Sequence, residues 1–528
     1  MSLIGRSIID ATKKTSYFIT TPIFYVNANP HIGHLYSALI ADASARFQKL
    51  LNPNINIIFS TGTDEHGLKV QKSAELSKLS VDNYCTKISS SYQTTFNKFD
   101  ISYTSFIRTT SDNHKMCVCH FWNKIKPHIK KGKYSGWYCT ADETFLSEDQ
   151  IEVVNNVRVS KESGRPVEWA EEENYKFDLR PFKNDLQNWL SKPDRIKPKL
   201  FQEILIREVN DLYEISLSRP QSRVSWGIPV PEDDAQTVYV WLDALVNYLT
   251  VSGYPNNTDS WPPSVQICGK DILKFHGIFW PVFLMAAGLQ LPKQIFVHSH
   301  WKVNDEKMSK TKGNVIDPLN AGNQYTESGL RYFLLREGTA HSDGNYSDMK
   351  IKRILNAELA DTLGNLLNRC CGKAINPNLS YPKLNAASIK SLSTDPYFID
   401  LDLKLKGLSD IVGNHYEELN FYKGIDEIIA TLHCCNRFFE YNKPWHLAKH
   451  DVPKLVCVLH VTLETLRLSA LALQPIVPVL ADKLLNKLNV NNRNWNQIIP
   501  SWKDGNTFVD PINLKKENIV LFKKLLVN

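Results

Sequence analysis

Two stretches hold residue types whose spacing fits phosphate chemistry. In HSHWKVNDEKMSKTKGNVIDP (298–318), Lys307 and Lys310 bracket Met308 and Ser309, and Thr311 and Gly313 follow. Two ammonium groups so placed can pair with a polyphosphate that one lysine could not span. A solvated surface turn would carry the same residues. In VNANPHIGHLYSAL (26–39), Asn27, Asn29 and Pro30 form a turn and His31-Ile32-Gly33-His34 opens a helix. A helix N-terminus offers free N–H groups and a positive dipole end to an anion. Gly33 lets a nucleotide approach the backbone, and His31 and His34, one turn apart, project over one place. A chance surface pair of histidines is the competing reading.

The elements that must position these groups follow from hydrophobic periodicity. SYFITTPIFYVN and NINIIFSTGTD read as buried strands, and HLYSALIADASARFQKLL as a helix with Leu35, Leu39, Ala43 and Phe47 near one face. Strand, helix, strand in that order indicates a parallel α/β unit over 16–117. From 118 to 230, short aromatic-rich pieces (KYSGWYCTADETFL, GRPVEWAEEENYKF) indicate an inserted module with small strands, closed by SWGIPVP. Buried strand and helix signals resume over 231–349, up to and past the lysine loop. From 350 to 528 helical periodicity takes over, and an all-α bundle is expected.

Composition narrows the class. The chain of 528 residues predicts two to four domains. A formal charge of +7 is compatible with a polyanionic partner without announcing one. Ten cysteines show no disulfide framework, which suits a reducing compartment. No apolar run approaches the roughly 18 residues that span a bilayer, so no membrane partner is expected. Residues 1–15 put Ile4, Ile8 and Ala11 on one helical face beside Arg6, Lys13, Lys14 and hydroxyl residues, with one acid, Asp10. That pattern fits a mitochondrial presequence, and a frayed basic terminus fits it too.

H-I-G-H after the first strand, with K-M-S-K-T in the second half, resembles the paired signature of class I aminoacyl-tRNA synthetases. Thr311 stands where that family usually has serine and keeps the hydroxyl. The flanking TTPIFYVNANPHIGH, STGTDEHG, GWYC, YVWLDALVNYL, GKDILKFHGIFWP and KMSKTKGN, with ELADTLGNLLNR and NKPW later, resemble the methionyl-tRNA synthetases over nearly the whole chain after about residue 16. PHIGHLYSALIADA, VWLDALVNYLTVSGYPN and GKDILKFHGIFWPV are most similar to animal mitochondrial members, which implies the mitochondrial matrix. The resemblance implies a Rossmann-type catalytic domain with a parallel sheet, split by a connective insertion and followed by a helical-bundle anticodon-binding domain. It also implies a methionine–tRNA ligase that forms methionyl-adenylate from methionine and ATP and then charges tRNA(Met).

The same resemblance assigns residues. Catalysis falls to His31, His34, Lys307 and Lys310. ATP is held by His31, Gly33, His34, Gly269, Lys270, Asp271, Lys307 and Lys310, with Mg²⁺ carried by the phosphates. Methionine is held by Ile23, Tyr25, Asp64, Arg219, Trp241, Ala244, Leu245, Tyr248, Phe275, His276 and Trp280. Asp64 takes the ammonium and Arg219 braces Asp64. A thioether is well held by aromatic rings, although each ring taken singly fits core packing as well. Anticodon bases fall to Asn365 and Arg369, four apart on one helix, and to Trp445 as a stacking surface. Asp361, where relatives often have asparagine, departs from the pattern. Zinc-bearing relatives carry C-x-x-C pairs in the insertion. Here Cys139 is followed by Asp142 with no second pair, so no structural zinc is expected. A monomer is expected. A nucleotidyltransferase without tRNA charging would lack the helical domain, a dead paralogue would have lost the histidines and lysines, and relatives for leucine, isoleucine or valine would carry a large editing domain.

Overall fold

A computed structural model of the chain describes residues 16–140, 144–146, 148–161, 164–308, 313–382, 384, 386–502, 512–517 and 519–526. The presequence expected over 1–15 and the loop positions Ser309, Lys310 and Thr311 lie outside the described residues. Strand β1 (Ser16–Tyr25) is buried along most of its length, as a strand covered on both faces must be. Helix α1 (Ile32–Leu51) returns beneath it with Leu35, Leu39, Ala43 and Phe47 all buried. Strand β2 (Asn56–Asp64) lies parallel to β1, and its register sets Asp64 opposite Tyr25. Strand β3 (Ser105–Arg108) extends the sheet beyond β2.

The expected boundary at 118 falls inside helix α2 (Asp112–Ile125). The inserted sheet begins after it with β4 (Ile129–Cys139), which runs antiparallel to β5 (Glu168–Asp178). A short strand from the same stretch, β6 (Ile196–Lys197), leaves the module. After helix α3 (Val240–Ser252), strands β7 (Val265–Gly269) and β8 (Ile295–His298) resume the catalytic sheet, with Gly269 opposite His298. β6 pairs with β8, so the insertion is sewn into the sheet edge. The strand order is β3-β2-β1-β7-β8-β6. The order reverses between β1 and β7, which opens a crevice at their carboxyl ends.

Helix α4 (Glu327–Glu337) follows the lysine loop, and the C-terminal part is helical: α5 (Pro396–Glu417), α6 (Phe421–Asn442), α7 (Pro444–His450) and α8 (Val452–Leu473). One strand pair, Ser380–Tyr381 with Ile512–Asn513, interrupts the expected all-helical stretch. By length and composition α8 is apolar enough to cross a bilayer. The polar residues His460, Glu464 and Arg467 break its apolar runs and hide this from a run-by-run reading. The helix is the buried centre of the bundle, where Glu464 pairs with Arg467 at 2.7 Å and accepts from Tyr381.

Bundle and sheet share one core through α1. Phe47 meets Trp495 edge-on at 4.8 Å, and Gln48 donates to Glu417 at 2.6 Å. At the centre of this contact Asp42 is fully buried and accepts from Arg331 of α4 (2.6 Å), Arg46 (2.8 Å) and Ser102 (2.6 Å). Burial pushes the Asp42 carboxyl up, and the two guanidinium groups outweigh it and hold the group below the usual carboxylate range. Arg331 also donates to the carbonyls of Phe99 (2.8 Å) and Ile476 (3.0 Å), so one guanidinium bonds both domains.

Arg331→Met should leave the Asp42 carboxylate buried with one guanidinium partner fewer and lower stability by about 3–5 kcal/mol. Adding Asp42→Asn should recover part of that loss. Chemical unfolding checks both; a single variant within about 1 kcal/mol of the parent would remove the pair from this role.

Candidate active site

The crevice at the strand ends is a cleft of about 410 Å³ lined by four carboxyl-end segments: Pro22–Tyr25, Asp64, Gly269–Ile272 without Lys270, and His298–Trp301. The start of α1 adds His31, Gly33, His34, Tyr36 and Ser37, and α3 adds Trp241, Ala244, Leu245, Asn247 and Tyr248. His31 is the N-cap of α1. Its Nδ1 accepts from the Gly33 N–H at 3.0 Å, while the His31 N–H donates to His34 Nδ1 at 3.2 Å. The two rings stack 3.7 Å apart, and Tyr92 lies 3.1 Å from His34 Nδ1. A neutral imidazole whose Nδ1 accepts carries its hydrogen on Nε2. The helix start therefore supplies two ring donors beside its own N–H groups. Gly33 has a local reason as well: a Cβ there would sit 2.9 Å from His31 Cε1.

One end of the cleft is built for an apolar side chain. Ile23, Tyr25, Trp241, Ala244, Leu245, Tyr248 and His276 all line it. Phe275 stacks on Trp241 with centroids 3.7 Å apart, and Trp280 packs behind Tyr248; neither ring lines the cavity. The segment Phe275–Phe279 is a π-helical turn, a widening often found where a side chain must be re-aimed at a site. His276 Nδ1 faces the Ile272 carbonyl at 3.0 Å, so Nε2 accepts from the Tyr248 hydroxyl at 2.7 Å. Burial pushes His276 down to about 4. Arg219 is elsewhere: it lines a small neighbouring cavity, donates to Ser216 and the Ser218 carbonyl, and lies over the Tyr239 ring.

The other end is polar. Asp271 faces the cleft and lies 3.1 Å from His300 Nε2. Lys270 turns away to Asp343 at 2.5 Å, and the same carboxylate accepts from the His300 N–H at 3.0 Å. Lys307 is exposed and lines the cleft beside Met308; Lys310 lies outside the described residues. Sequence reasoning missed His298, His300, Ser37 and Trp301 here. The signal available was H-x-H between β8 and the lysines. His298 Nε2 lies 2.7 Å from Ser37, and burial pushes His298 down to about 4.

The helical domain holds the remaining sequence-assigned residues. Arg369 pairs with Glu440 at 2.7 Å and lies 5.9 Å from the centre of the Trp445 ring, which is 48% exposed. Asn365 is exposed one turn before Arg369. Asp361 pairs with Lys524 at 2.8 Å on the surface. In the insertion Cys139 is buried, and among the described residues no three His, Cys, Asp or Glu side chains gather as metal ligands. All ten cysteines are free thiols.

Residues 17–371 match the family described as tRNA synthetases class I (M), and residues 399–523 match the anticodon binding domain of methionyl tRNA ligase. The chain is 46% identical to the mitochondrial methionine–tRNA ligase of Homo sapiens, over 91% of this chain and 85% of that one. It is 41% identical to a probable mitochondrial methionine–tRNA ligase of Dictyostelium discoideum, over 97% and 93%. A Mycobacterium tuberculosis methionyl-tRNA synthetase, solved in complex with methionyl-adenylate, superposes with a TM-score of 0.89 at 34% identity, covering 96% of this chain and 99% of that one.

His276 and His298, held near 4 in the fold against about 6.5 when unfolded, give acidification a definite sign. Between those values the unfolded chain binds protons that the native cleft refuses, so stability falls as pH drops from about 6.5 towards 4. The loss by pH 5 should be on the order of 2 kcal/mol per histidine. Tm measured at pH 7 and pH 5 should fall less in His298→Gln than in the parent; equal falls would refute the assignment.

Proposed function

The chain belongs to the class I methionyl-tRNA synthetases, and on that footing we propose that it joins methionine to ATP as methionyl-adenylate, releases pyrophosphate, and passes the methionyl group to tRNA(Met) in the mitochondrial matrix. The observation that carries this reading is the single cleft in which an aromatic-walled apolar end, a carboxylate and a histidine-capped helix start meet. The methionine thioether lies against Trp241, Ala244, Leu245, Tyr248 and Ile23, and its ammonium pairs with Asp64. Asp271 accepts from the ribose hydroxyls. His31, His34, Lys307 and Lys310 face the phosphates. A methionine carboxylate oxygen attacks the α-phosphorus, the new O–P bond forms, and the electron pair of the breaking P–O bond leaves on pyrophosphate. Fixed donors and cations stabilise the charge as it develops there, with no covalent protein nucleophile.

Mg²⁺ enters on the ATP phosphates and is held mostly by them and by water. The insertion holds no structural zinc, Asn365, Arg369 and Trp445 read the anticodon, and the enzyme works as a monomer. The division into 1–15, 16–117, 118–230, 231–349 and 350–528 is proposed as presequence, two catalytic halves around an insertion, and anticodon domain.

Amino-acid-dependent ATP–pyrophosphate exchange tests the activity, and methionine should be the best substrate. Lys310→Ala should slow that exchange roughly a hundredfold to a thousandfold, with a smaller change in methionine affinity. Exchange measured in Mg²⁺ after chelator treatment should be unaffected. Another amino acid as best substrate would overturn the pocket assignment, and an unchanged Lys310→Ala rate would overturn the role of that lysine.

Trp445→Ala should remove roughly 1–3 kcal/mol of base stacking and lower kcat/KM for tRNA while sparing exchange. The half-exposed ring contributes little to packing, so Tm should stay near native. Equal losses in aminoacylation and exchange would move Trp445 out of the anticodon site.

A further inference from the structure

The run Thr63-Asp64-Glu65-His66 turns its three ionisable side chains in three directions. Asp64 lines the cleft. Glu65 is buried and accepts from Arg108 (2.7 Å), Thr63 (2.8 Å) and Thr110 (2.5 Å). His66 is buried, and its Nδ1 meets Asp243 Oδ2 at 2.6 Å. The other oxygen of Asp243 meets His114 Nε2 at 2.7 Å, and His114 Nδ1 lies 2.9 Å from Thr250. Three elements are thereby tied to one carboxylate: the end of β2, helix α2 through His114, and helix α3, which carries Asp243 itself. All three side chains are buried.

Asp243 lies one residue from Ala244 and two from Trp241, both in the cleft wall. Its bond to His66 therefore spans from the helix that walls the apolar end of the cleft to the segment just after Asp64, the last residue of β2. Stability alone is a weak reason for such a group. Buried ion clusters replaced by well-packed apolar residues are often neutral or better for stability. Buried polar partners of this kind do, however, hold a neighbouring group in one geometry.

We propose that Asp243, gripped by His66 and His114, is a positioning residue that fixes the distance between Asp64 and helix α3 and so sets the length of amino acid the cleft accepts. This rests on the reading of Asp64 as the ammonium partner and of α3 as the wall of the side-chain pocket. A gauge of this kind acts on methionine and its one-carbon homologues and leaves ATP alone, because the ATP groups of β7, β8 and α1 are outside the bracket. One methylene in an apolar pocket is worth about tenfold to two-hundredfold when the pocket is held to shape.

Pyrophosphate exchange with methionine and with ethionine, each at varied ATP, tests this. Asp243→Asn should raise KM for methionine about tenfold, leave KM for ATP within about twofold, and shrink the preference for methionine over ethionine. His66→Asn keeps a donor near the place of Nδ1 and should stay near the parent, whereas His66→Ala should reproduce the Asp243→Asn pattern. The His66 pair carries the test should Asp243→Asn fail to fold. An unchanged methionine KM and preference, or equal rises in both KM values, would overturn the inference. Asp64→Asn separates the two levels. If it raises methionine KM while the Asp243 and His66 variants do not, only the bracket is wrong. If it leaves methionine KM unchanged, the ammonium reading fails and the bracket with it.

Discussion

The contact on which the rest of the molecule depends is the buried pairing of Asp42 with Arg331. Asp42 sits near the middle of α1, a helix whose 20 residues span about 30 Å. Its N-terminus forms part of the cleft floor and its C-terminal half is packed against the helical domain. A carboxylate and a guanidinium so deeply buried are tolerated only when paired and hydrogen-bonded. Arg46 and Ser102, with the carbonyls of Phe99 and Ile476, satisfy that condition. Because those carbonyls come from both domains, the partners hold only if bundle and sheet dock in one way. The position of the histidine-capped helix start is thus referred to the same frame as the bundle that carries Trp445.

Within that frame the cleft is formed by the carboxyl ends of parallel strands together with the start of α1 and one side of α3. Parallel register does much of the work: Tyr25 lies opposite Asp64 and Gly269 opposite His298, so residues far apart in sequence meet at one edge. The polar groups are then fixed by neighbours. His276 is held between the Ile272 carbonyl and Tyr248, and His298 between Ser299 and Ser37. Burial keeps both neutral near pH 7, so they act as oriented hydrogen-bonding groups.

The inserted module is tied to the catalytic sheet by β6, and its described residues do not line the cleft. It contributes Arg219 to a small cavity beside the cleft, with His66 at that cavity's edge. Asp243 is held below the usual carboxylate range, to about 2; burial opposes this, and His66 and His114 together outweigh it.

Sequence alone determined the alternation of strands and helices, the switch to helices after about residue 350, and the two motif stretches, because period and local turn chemistry are properties of neighbouring residues. It also placed Ile23, Tyr25, His31, His34, Asp64, Trp241, Tyr248, Asp271 and Lys307 as candidates, and the fold gathers these into one cleft. Only the tertiary structure decided what depends on distant partners. It turned Lys270 away to Asp343, set Arg219 beside the neighbouring cavity, put Phe275 and Trp280 behind the wall, and showed α8 as a core helix although its composition suits a membrane. It also brought His298 to Ser37, His300 to Asp271, and Asp243 to two histidines. Each of these pairings joins residues more than twenty apart in sequence. For the buried ones, His298 with Ser37 and Asp243 with its histidines, the energy that selects them is that of leaving a buried polar group without its partner, and no local pattern of residue types records it.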